Sequence, residues 1–430
     1  MKRNQCCLVL VLWLLALAGV ARAEERPSSV ATALASTTLS GYIDTSAQWN
    51  FGTGNANNPP YKFGGSSKAD GFNLDVVQLS LEKPLDDSEF AAGYRIDLWA
   101  GPDAAVLGTQ STVATGANDF AIRQAYVNLR VPIRNGLEIR LGVFDSVVGY
   151  EYVESPANPN YTRSYGHTLE PQTHTGVLAS YRFCSMFSAA AGVADTIGPA
   201  INARGTSGSS GVAGSPLGTL WKLAPTPVTD LTGANAKAES AKTFMGALAV
   251  TAPDTMGFLE GSSLFAGIVN GFNSSVLGSG VGDNQTSYYL GASLKTPFPA
   301  LRLGTAFDYL DLQRINGNFN GNSISADAHA WSLAGYATLQ AAEKLSFHAR
   351  VEYVEAKLVG NLAGTDLSGQ AQILALTATA QYDLWKNVLS RVEFRWDHSV
   401  GGNDLFGGSG YGVPDARNAW LLAGNLIYKF

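Results

Sequence analysis

Cysteine and long apolar runs are what this sequence has least of. It holds 3 cysteines in 430 residues, and Cys6 and Cys7 both lie close to the amino terminus. With Cys184 alone further along, no disulfide framework holds the fold together. After residue 23, no apolar stretch approaches the roughly 20 residues that a membrane-spanning helix needs. A membrane location would therefore require strands, because a bilayer accepts only helices or closed barrels.

Charge is also sparse, and its balance is acidic. Charged residues make up 15% of the chain, and the formal net charge is −6. An acidic balance argues against nucleic acid as a partner. Glycine, by contrast, is abundant with 47 residues, and aromatic side chains reach 10%. These proportions are typical of a transmembrane barrel, whose outer wall is apolar and whose turns use glycine.

The amino terminus has the pattern of an export signal. Lys2 and Arg3 precede an apolar run over residues 8–20, and Ala21-Arg22-Ala23 supplies small residues for cleavage. This pattern predicts a cleaved signal peptide over 1–23, a periplasmic lead over 24–38 and a barrel over 39–430. An uncleaved anchor is the alternative. The predicted destination is the cell outer membrane.

The rest of the chain alternates between apolar and polar residues. Sixteen segments show this period of two, which predicts an all-β fold. We expect a transmembrane antiparallel up-and-down β-barrel of about 16 strands, with 14 to 18 as the open range. The segments are 39–49, 72–83, 88–99, 119–131, 137–144, 173–183, 185–194, 241–251, 258–270, 286–296, 300–310, 328–340, 344–356, 371–383, 387–397 and 417–430.

Short and long connections between these segments interleave. In outer-membrane barrels the short turns are periplasmic and the long loops extracellular, which is the orientation we expect here. Segment 72–83 changes parity near Val76 and Val77, which predicts a bulge. The predicted long loops are 50–71, 100–118, 145–172, 195–240, 271–285, 311–327, 357–370 and 398–416.

The last segment has an apolar face with aromatic residues at both ends. Trp420, Leu422, Leu426, Tyr428 and Phe430 share one parity, so we expect them to contact outer-membrane lipid. A strand that ends on an aromatic residue resembles the signal read by the outer-membrane assembly machinery. Phe430 is therefore the predicted contact with that partner.

Charged residues fall on the opposite parity, where they would line the lumen. Barrels of 16 to 18 strands leave an aqueous channel, so a charged inner wall predicts a pore. We expect the loop 145–172 to fold inward and place its carboxylates opposite Arg95, Arg350 and Arg395, with a weak cation preference. An outward loop is the alternative. The predicted wall residues are Arg95, Asp97, Arg140, Arg350, Glu352, Arg391, Glu393 and Arg395, and the predicted constriction residues are Asp145, Glu151, Glu154, Arg163 and Glu170.

Three stretches carry a family resemblance. These are Gln124-Ala125-Tyr126-Val127, Glu154-Ser155-Pro156-Ala157-Asn158-Pro159-Asn160-Tyr161-Thr162-Arg163-Ser164, and His174-Thr175-Gly176. With the opening Leu39-Ser40-Gly41-Tyr42, the chain resembles the OmpL-like β-barrel porins of Gram-negative outer membranes. The resemblance implies a pore for passive diffusion of small hydrophilic solutes and ions. It brings no catalytic or substrate-binding residues.

Other functions are weighed against this one. Adhesion at the cell surface and substrate-specific transport stay as alternatives, and the barrel could form a homo-oligomer. Enzyme activity is not expected, because nucleophile, phosphate-loop and dinucleotide motifs do not occur. His167, Glu170 and His174 lie close in sequence, but Pro171 interrupts any helix that would align them, so we expect no metal and no cofactor.

Overall fold

The structure is a computed structural model that describes residues 36–52, 54–109, 119–203, 241–273, 283–319, 322–362, 365–366, 368–410 and 412–430. The predicted signal peptide, nearly all of the predicted lead and the segment 204–240 lie outside the described residues.

The fold is built from sixteen long strands. Their apolar and polar residues alternate, so each strand has one face for lipid and one for the interior. The strands are β1 (Thr38–Phe51), β2 (Gly71–Lys83), β3 (Ala91–Ala100), β4 (Phe120–Val131), β5 (Leu137–Asp145), β6 (Thr173–Arg182), β7 (Phe187–Ala194), β8 (Thr243–Thr251), β9 (Ser263–Asn273), β10 (Asp283–Lys295), β11 (Leu301–Phe319), β12 (Asn322–Ala342), β13 (Leu345–Leu362), β14 (Gly369–Trp385), β15 (Val388–Ser399) and β16 (Asn418–Lys429).

Each strand pairs antiparallel with its neighbours in sequence, and β1 pairs with β16 to close the barrel. Ile43 lies opposite Tyr428, and Phe51 lies opposite Trp420. Gly41 and Phe430 exchange two backbone hydrogen bonds of 3.0 Å each. The predicted all-β barrel of 16 strands is confirmed.

In the described ranges of the chain, short helical elements lie between the strands. Two are helices, α1 (Pro102–Leu107) and α2 (Tyr165–Leu169), and two are 3₁₀ turns, Ser155–Ala157 and Asp254–Leu259. A two-residue strand, Thr365–Asp366, pairs with the end of β13. Among the described residues, no helix is both long and apolar enough to cross a membrane.

The central hairpins are longer than the sequence predicted. Strands β11 to β13 continue through much of the loops expected at 311–327 and 357–370. Residues 258–262, which we expected to begin a strand, lie partly in the 3₁₀ turn Asp254–Leu259. Backbone pairing continues beyond the apolar band of a barrel, whereas the alternation that predicts strands fades once both faces meet water.

Bulges change which side chains face inward. In β2, Leu74 and Leu79 are exposed although they differ in parity, which agrees with the parity change predicted there. In β4, Asp97 of β3 lies opposite Gln124 and the next residue, Leu98, lies opposite Ile122. Arg123 is therefore the extra residue of a bulge, and both Arg123 and Gln124 are buried inside the barrel.

Candidate functional site

The connection between β5 and β6, residues 146–172, lies inside the barrel; we call it the inner loop. Its residues from Thr162 to Gln172 are all buried. Its polar groups contact side chains of β4, β11, β13, β14 and β15, on both sides of the lumen. The loop therefore crosses the interior, and the outward loop that was the alternative does not occur.

Arg350 of β13 is the central anchor of the inner loop. Its guanidinium donates to Glu151 Oε1 at 2.9 Å and to the Thr162 carbonyl at 2.7 Å. Glu352 on the same strand accepts from its Nε at 3.1 Å. Glu151 also accepts from the Ser164 amide at 2.9 Å and the Tyr336 hydroxyl at 3.2 Å. A charge this buried is stable only when it is paired and fully hydrogen-bonded, which is the case for both partners.

Arg395 of β15 forms a second anchor. It donates to the Arg163 carbonyl at 2.8 Å and pairs with Asp397 at 2.9 Å. The ring of Tyr165 lies near the same guanidinium, with 5.0 Å between the guanidinium carbon and the ring centroid. The Tyr165 hydroxyl donates to Asp397 at 2.8 Å. The ring of Tyr61 lies 4.0 Å from the carbon of the same guanidinium; Tyr61 belongs to the first loop, which connects β1 and β2. Cations stacked on aromatic rings in this way are held in one orientation.

The same strand holds the tip of the inner loop. Arg391 donates to the carbonyls of Ser155 and Asn158, at 3.1 and 2.5 Å. Glu393 accepts from the amides of Tyr161 and Thr162, at 2.6 and 2.9 Å. A carboxylate on one strand thus satisfies backbone donors and an arginine satisfies backbone acceptors, so the loop needs no regular secondary structure there.

Asn158 closes the tip upon itself. Its side-chain amide donates to the carbonyls of Tyr152 and Glu154, at 2.6 and 2.9 Å, and its oxygen accepts from the Tyr152 amide at 2.9 Å. Tyr152 itself is 63% exposed. Around the tip, the interior therefore retains space that water can reach.

Helix α2 covers the apolar part of the inner wall. Ser164 caps it by accepting from the His167 amide at 3.0 Å. Tyr165 and Leu169 then pack with inward apolar residues of β11 and β12, among them Leu310 and Ala330. The loop therefore covers the apolar part of the inner wall and shields it from water.

Glu154 fixes the loop to the opposite wall. Arg123, the bulge residue of β4, is fully buried, pairs with Asp145 and lies 3.1 Å from Glu154. Arg123 was not among the predicted lumen residues, because strict alternation assigns it to the lipid face. The neighbouring polar pair Arg123-Gln124 was the one available signal.

Two further connections enter the interior. Lys68 of the first loop bridges Asp75 and Asp103, at 2.7 and 2.6 Å, and Asp103 belongs to helix α1. Burial raises the pKa of Asp103 to about 6, against the attraction of Lys68. Lys62 donates to Gln172 of the inner loop at 2.5 Å, and burial lowers the pKa of Lys62 to about 7. None of these lysines was predicted to line the lumen.

Glu170 is buried beside other titratable side chains. Burial, and then the neighbouring Asp308 of β11, raise the pKa of Glu170 well above its usual range. His167 Nδ1 lies 3.5 Å from Glu170, and burial followed by Arg163 and Lys62 holds the pKa of His167 well below its usual range. In the described part of the chain, no group of three or more His, Cys, Asp or Glu side chains is arranged to hold a metal ion.

The chain as a whole is similar to known porins. The model of the family described as "Putative beta-barrel porin-2, OmpL-like" matches residues 36–430. The chain belongs to this family. It is an outer-membrane porin, and the family and fold are those of channels rather than enzymes. No curated protein matches the porin in sequence.

Solved porin structures share the fold at low sequence identity. The anion-selective porin from Comamonas acidovorans has 13% identity, covers 92% of this chain and 99% of its own, and gives a TM-score of 0.54. OmpF of Salmonella typhi, in complex with daunomycin, has 14% identity, coverages of 92% and 97%, and a TM-score of 0.54. The outer-membrane channel DcaP of Acinetobacter baumannii has 11% identity, coverages of 92% and 97%, and a TM-score of 0.52. The likeness concerns the fold.

The predicted site residues do not form the expected solute path between wall arginines and loop carboxylates. Arg350 and Arg395 contact the inner loop directly, so no solute path runs between them and its carboxylates. Arg163 lies within the loop and donates to the Val153 carbonyl at 2.8 Å. Arg95 and Arg140 stay outside these contacts and are partly exposed. Of the predicted wall, the almost fully buried members are Asp97, Arg350, Glu352, Arg391, Glu393 and Arg395.

Proposed function

We propose that this porin forms a water-filled channel for passive diffusion of small hydrophilic solutes and ions, and that the inner loop narrows it. The observation that carries the proposal is the attachment of this loop to both sides of the lumen, at Arg350 and Arg391 on one side and at Arg123 on the other. A 16-stranded barrel is wide enough for an aqueous lumen. A loop across it reduces the cross-section without closing the barrel.

Rigidity of the inner loop supports a constriction over a displaceable plug. Pro156, Pro159 and Pro171 fix three backbone φ angles and reduce the conformational entropy lost on docking. The buried arginines bind loop carbonyls, and their carboxylate partners bind loop amides. Displacement of the loop would leave these charges buried without their partners, which costs free energy.

The route to the membrane is part of the proposal. The basic and apolar pattern of residues 1–23 supports export through a cleavable signal peptide. The exposed rings of Tyr428 on β16 and of Phe430 directly after it support recognition of this strand by the assembly machinery. Outer-membrane lipid would then contact the apolar outer face.

Swelling of liposomes in uncharged sugars tests the diffusion function. Liposomes that hold the purified porin should swell in small sugars, with a rate that falls as sugar size increases. A variant without residues 150–168 should extend the size limit upward, and empty liposomes are the control. Absence of swelling in every sugar, from a barrel shown to be folded, would contradict the proposal.

A further inference from the structure

Basic side chains predominate among the accessible charges of the inner wall near the short turns. Inward positions at this end of the strands that keep partial or full exposure are the basic Arg95, Arg130, Arg140, Arg182, Lys295, Arg302 and Lys429 and the acidic Glu82, Glu138 and Asp383. The excess of basic over acidic side chains is seven against three.

The first basic group lies on strands β3 to β6; we call Arg95, Arg130, Arg140 and Arg182 the basic wall. Arg95 and Arg130 are partly neutralised, because Arg95 pairs with Asp97 at 2.8 Å and with Glu82 at 3.5 Å, and Arg130 pairs with Glu138 at 3.0 Å. Both side chains remain 28% exposed.

The other two members of the basic wall are freer. Arg140 lies over the ring of Tyr126, with 5.2 Å between its guanidinium carbon and the ring centroid. Within the described ranges, neither Arg140 nor Arg182 forms an ion pair. An arginine held on an aromatic face keeps its donors available to a passing anion.

A second basic group lies on β10 and β11. Lys295 and Arg302 are exposed and lie directly opposite each other in the register of the two strands. Like charges in this position repel each other and are unfavourable without a counter-charge. No carboxylate among the described residues pairs with either side chain.

The carboxylates that could oppose these cations are engaged inside the protein. Glu151 is bound by Arg350, and Glu154 lies in contact with Arg123. Glu170 is buried beside Asp308, where its raised pKa favours the neutral form. A closed ion pair exerts a much weaker field at a distance than a free charge does. The inner loop therefore offers little free negative charge to a passing ion.

We propose that the channel prefers anions to cations, and that Arg95 and Arg140 of the basic wall are determinants of this preference. The solute class is small anions, inorganic or carboxylate, drawn into a lumen whose accessible wall charges near the short turns are predominantly basic. This inference rests on the proposed diffusion function and reverses the weak cation preference that the sequence predicted. The loop carboxylates, assigned that role by the sequence, position the loop instead.

Reversal potentials in planar bilayers test the inference. The gradient is a tenfold potassium chloride gradient at low ionic strength, where charges are least screened. The reversal potential of the wild type should have the sign of the chloride equilibrium potential. Arg95→Gln with Arg140→Gln should lower the chloride-to-potassium permeability ratio by about twofold or more. Arg134→Gln, which removes an exposed arginine from a short turn outside the strands, is the matched control and should leave the ratio nearly unchanged.

The outcomes separate this inference from the function on which it rests. A wild-type reversal potential with the sign of the potassium equilibrium potential overturns the anion preference while leaving the channel established. Equal shifts in the double variant and in Arg134→Gln overturn the assignment to Arg95 and Arg140. Lack of any channel from a folded barrel overturns the diffusion function itself. If the double variant fails to fold, Arg182→Gln, at an exposed strand end, replaces it with the same expected direction.

Discussion

Replacement of Arg350 by Gln should release the inner loop from the far wall of the barrel. The arginine is 1% exposed and donates to Glu151, to two loop carbonyls and to Glu352. Glutamine has neither the charge nor the reach of a guanidinium fork. Glu151 and Glu352 would remain buried and lose their shared cation.

The magnitude follows from the burial of this pair. Removal of one partner of a buried ion pair costs about 3–5 kcal/mol, which corresponds to a shift of roughly 150- to 5,000-fold in an equilibrium. The cost falls on docking of the inner loop, since β13 keeps its backbone bonds to β12 and β14. We therefore expect a folded barrel with a loosely held loop.

Two measurements report this state. Limited proteolysis in detergent should cleave the Arg350→Gln variant within residues 146–172 and spare the wild type. Single-channel recordings should show larger or fluctuating conductance. Lys357→Gln is the matched control, because it removes an exposed cation from the same strand. A variant with wild-type protection and steady wild-type currents would refute the role assigned to Arg350.

Two other predictions concern the pH response and closure of the barrel. Burial holds the pKa of Lys62 at about 7 in the folded protein, below its ordinary value, so the unfolded chain binds more protons than the folded protein between about pH 7 and 10. The melting temperature of the wild type should therefore rise over this window relative to that of Lys62→Met. A parallel response of both proteins would contradict the prediction. Deletion of Phe430 removes its two backbone hydrogen bonds with Gly41 and should lower the yield of folded barrel on refolding into vesicles, measured by heat-modifiable electrophoretic mobility. The control is Phe298→Ala, which removes an exposed ring from a short turn. An equal yield for the deletion and the wild type would contradict the role of this terminus.

The barrel itself was predictable because its determinants are local. Alternation such as that from Leu345 to Tyr353 assigns each residue to one face, and the turn lengths fix which strands are neighbours. The ends of β11 to β13 were less predictable, since charged residues such as Lys357 continue the strand where both faces meet water.

The contacts of the inner loop were not predictable, because they are non-local. Parity correctly turned Arg350 and Arg395 inward but could not indicate that loop carbonyls at 162 and 163 would meet them. Arg123 was missed for another reason, since a single bulge residue reverses the inward and outward assignment around it.

Single-channel conductance of the wild type and of a variant lacking residues 150–168 shows whether the inner loop narrows the channel. We predict stable channels from both proteins, with a larger conductance in the variant, because the loop that crosses the lumen is removed while all sixteen strands remain. Equal conductance would mean that the loop lies outside the path of the ions. Folded barrels without channels in either protein would contradict the channel function itself.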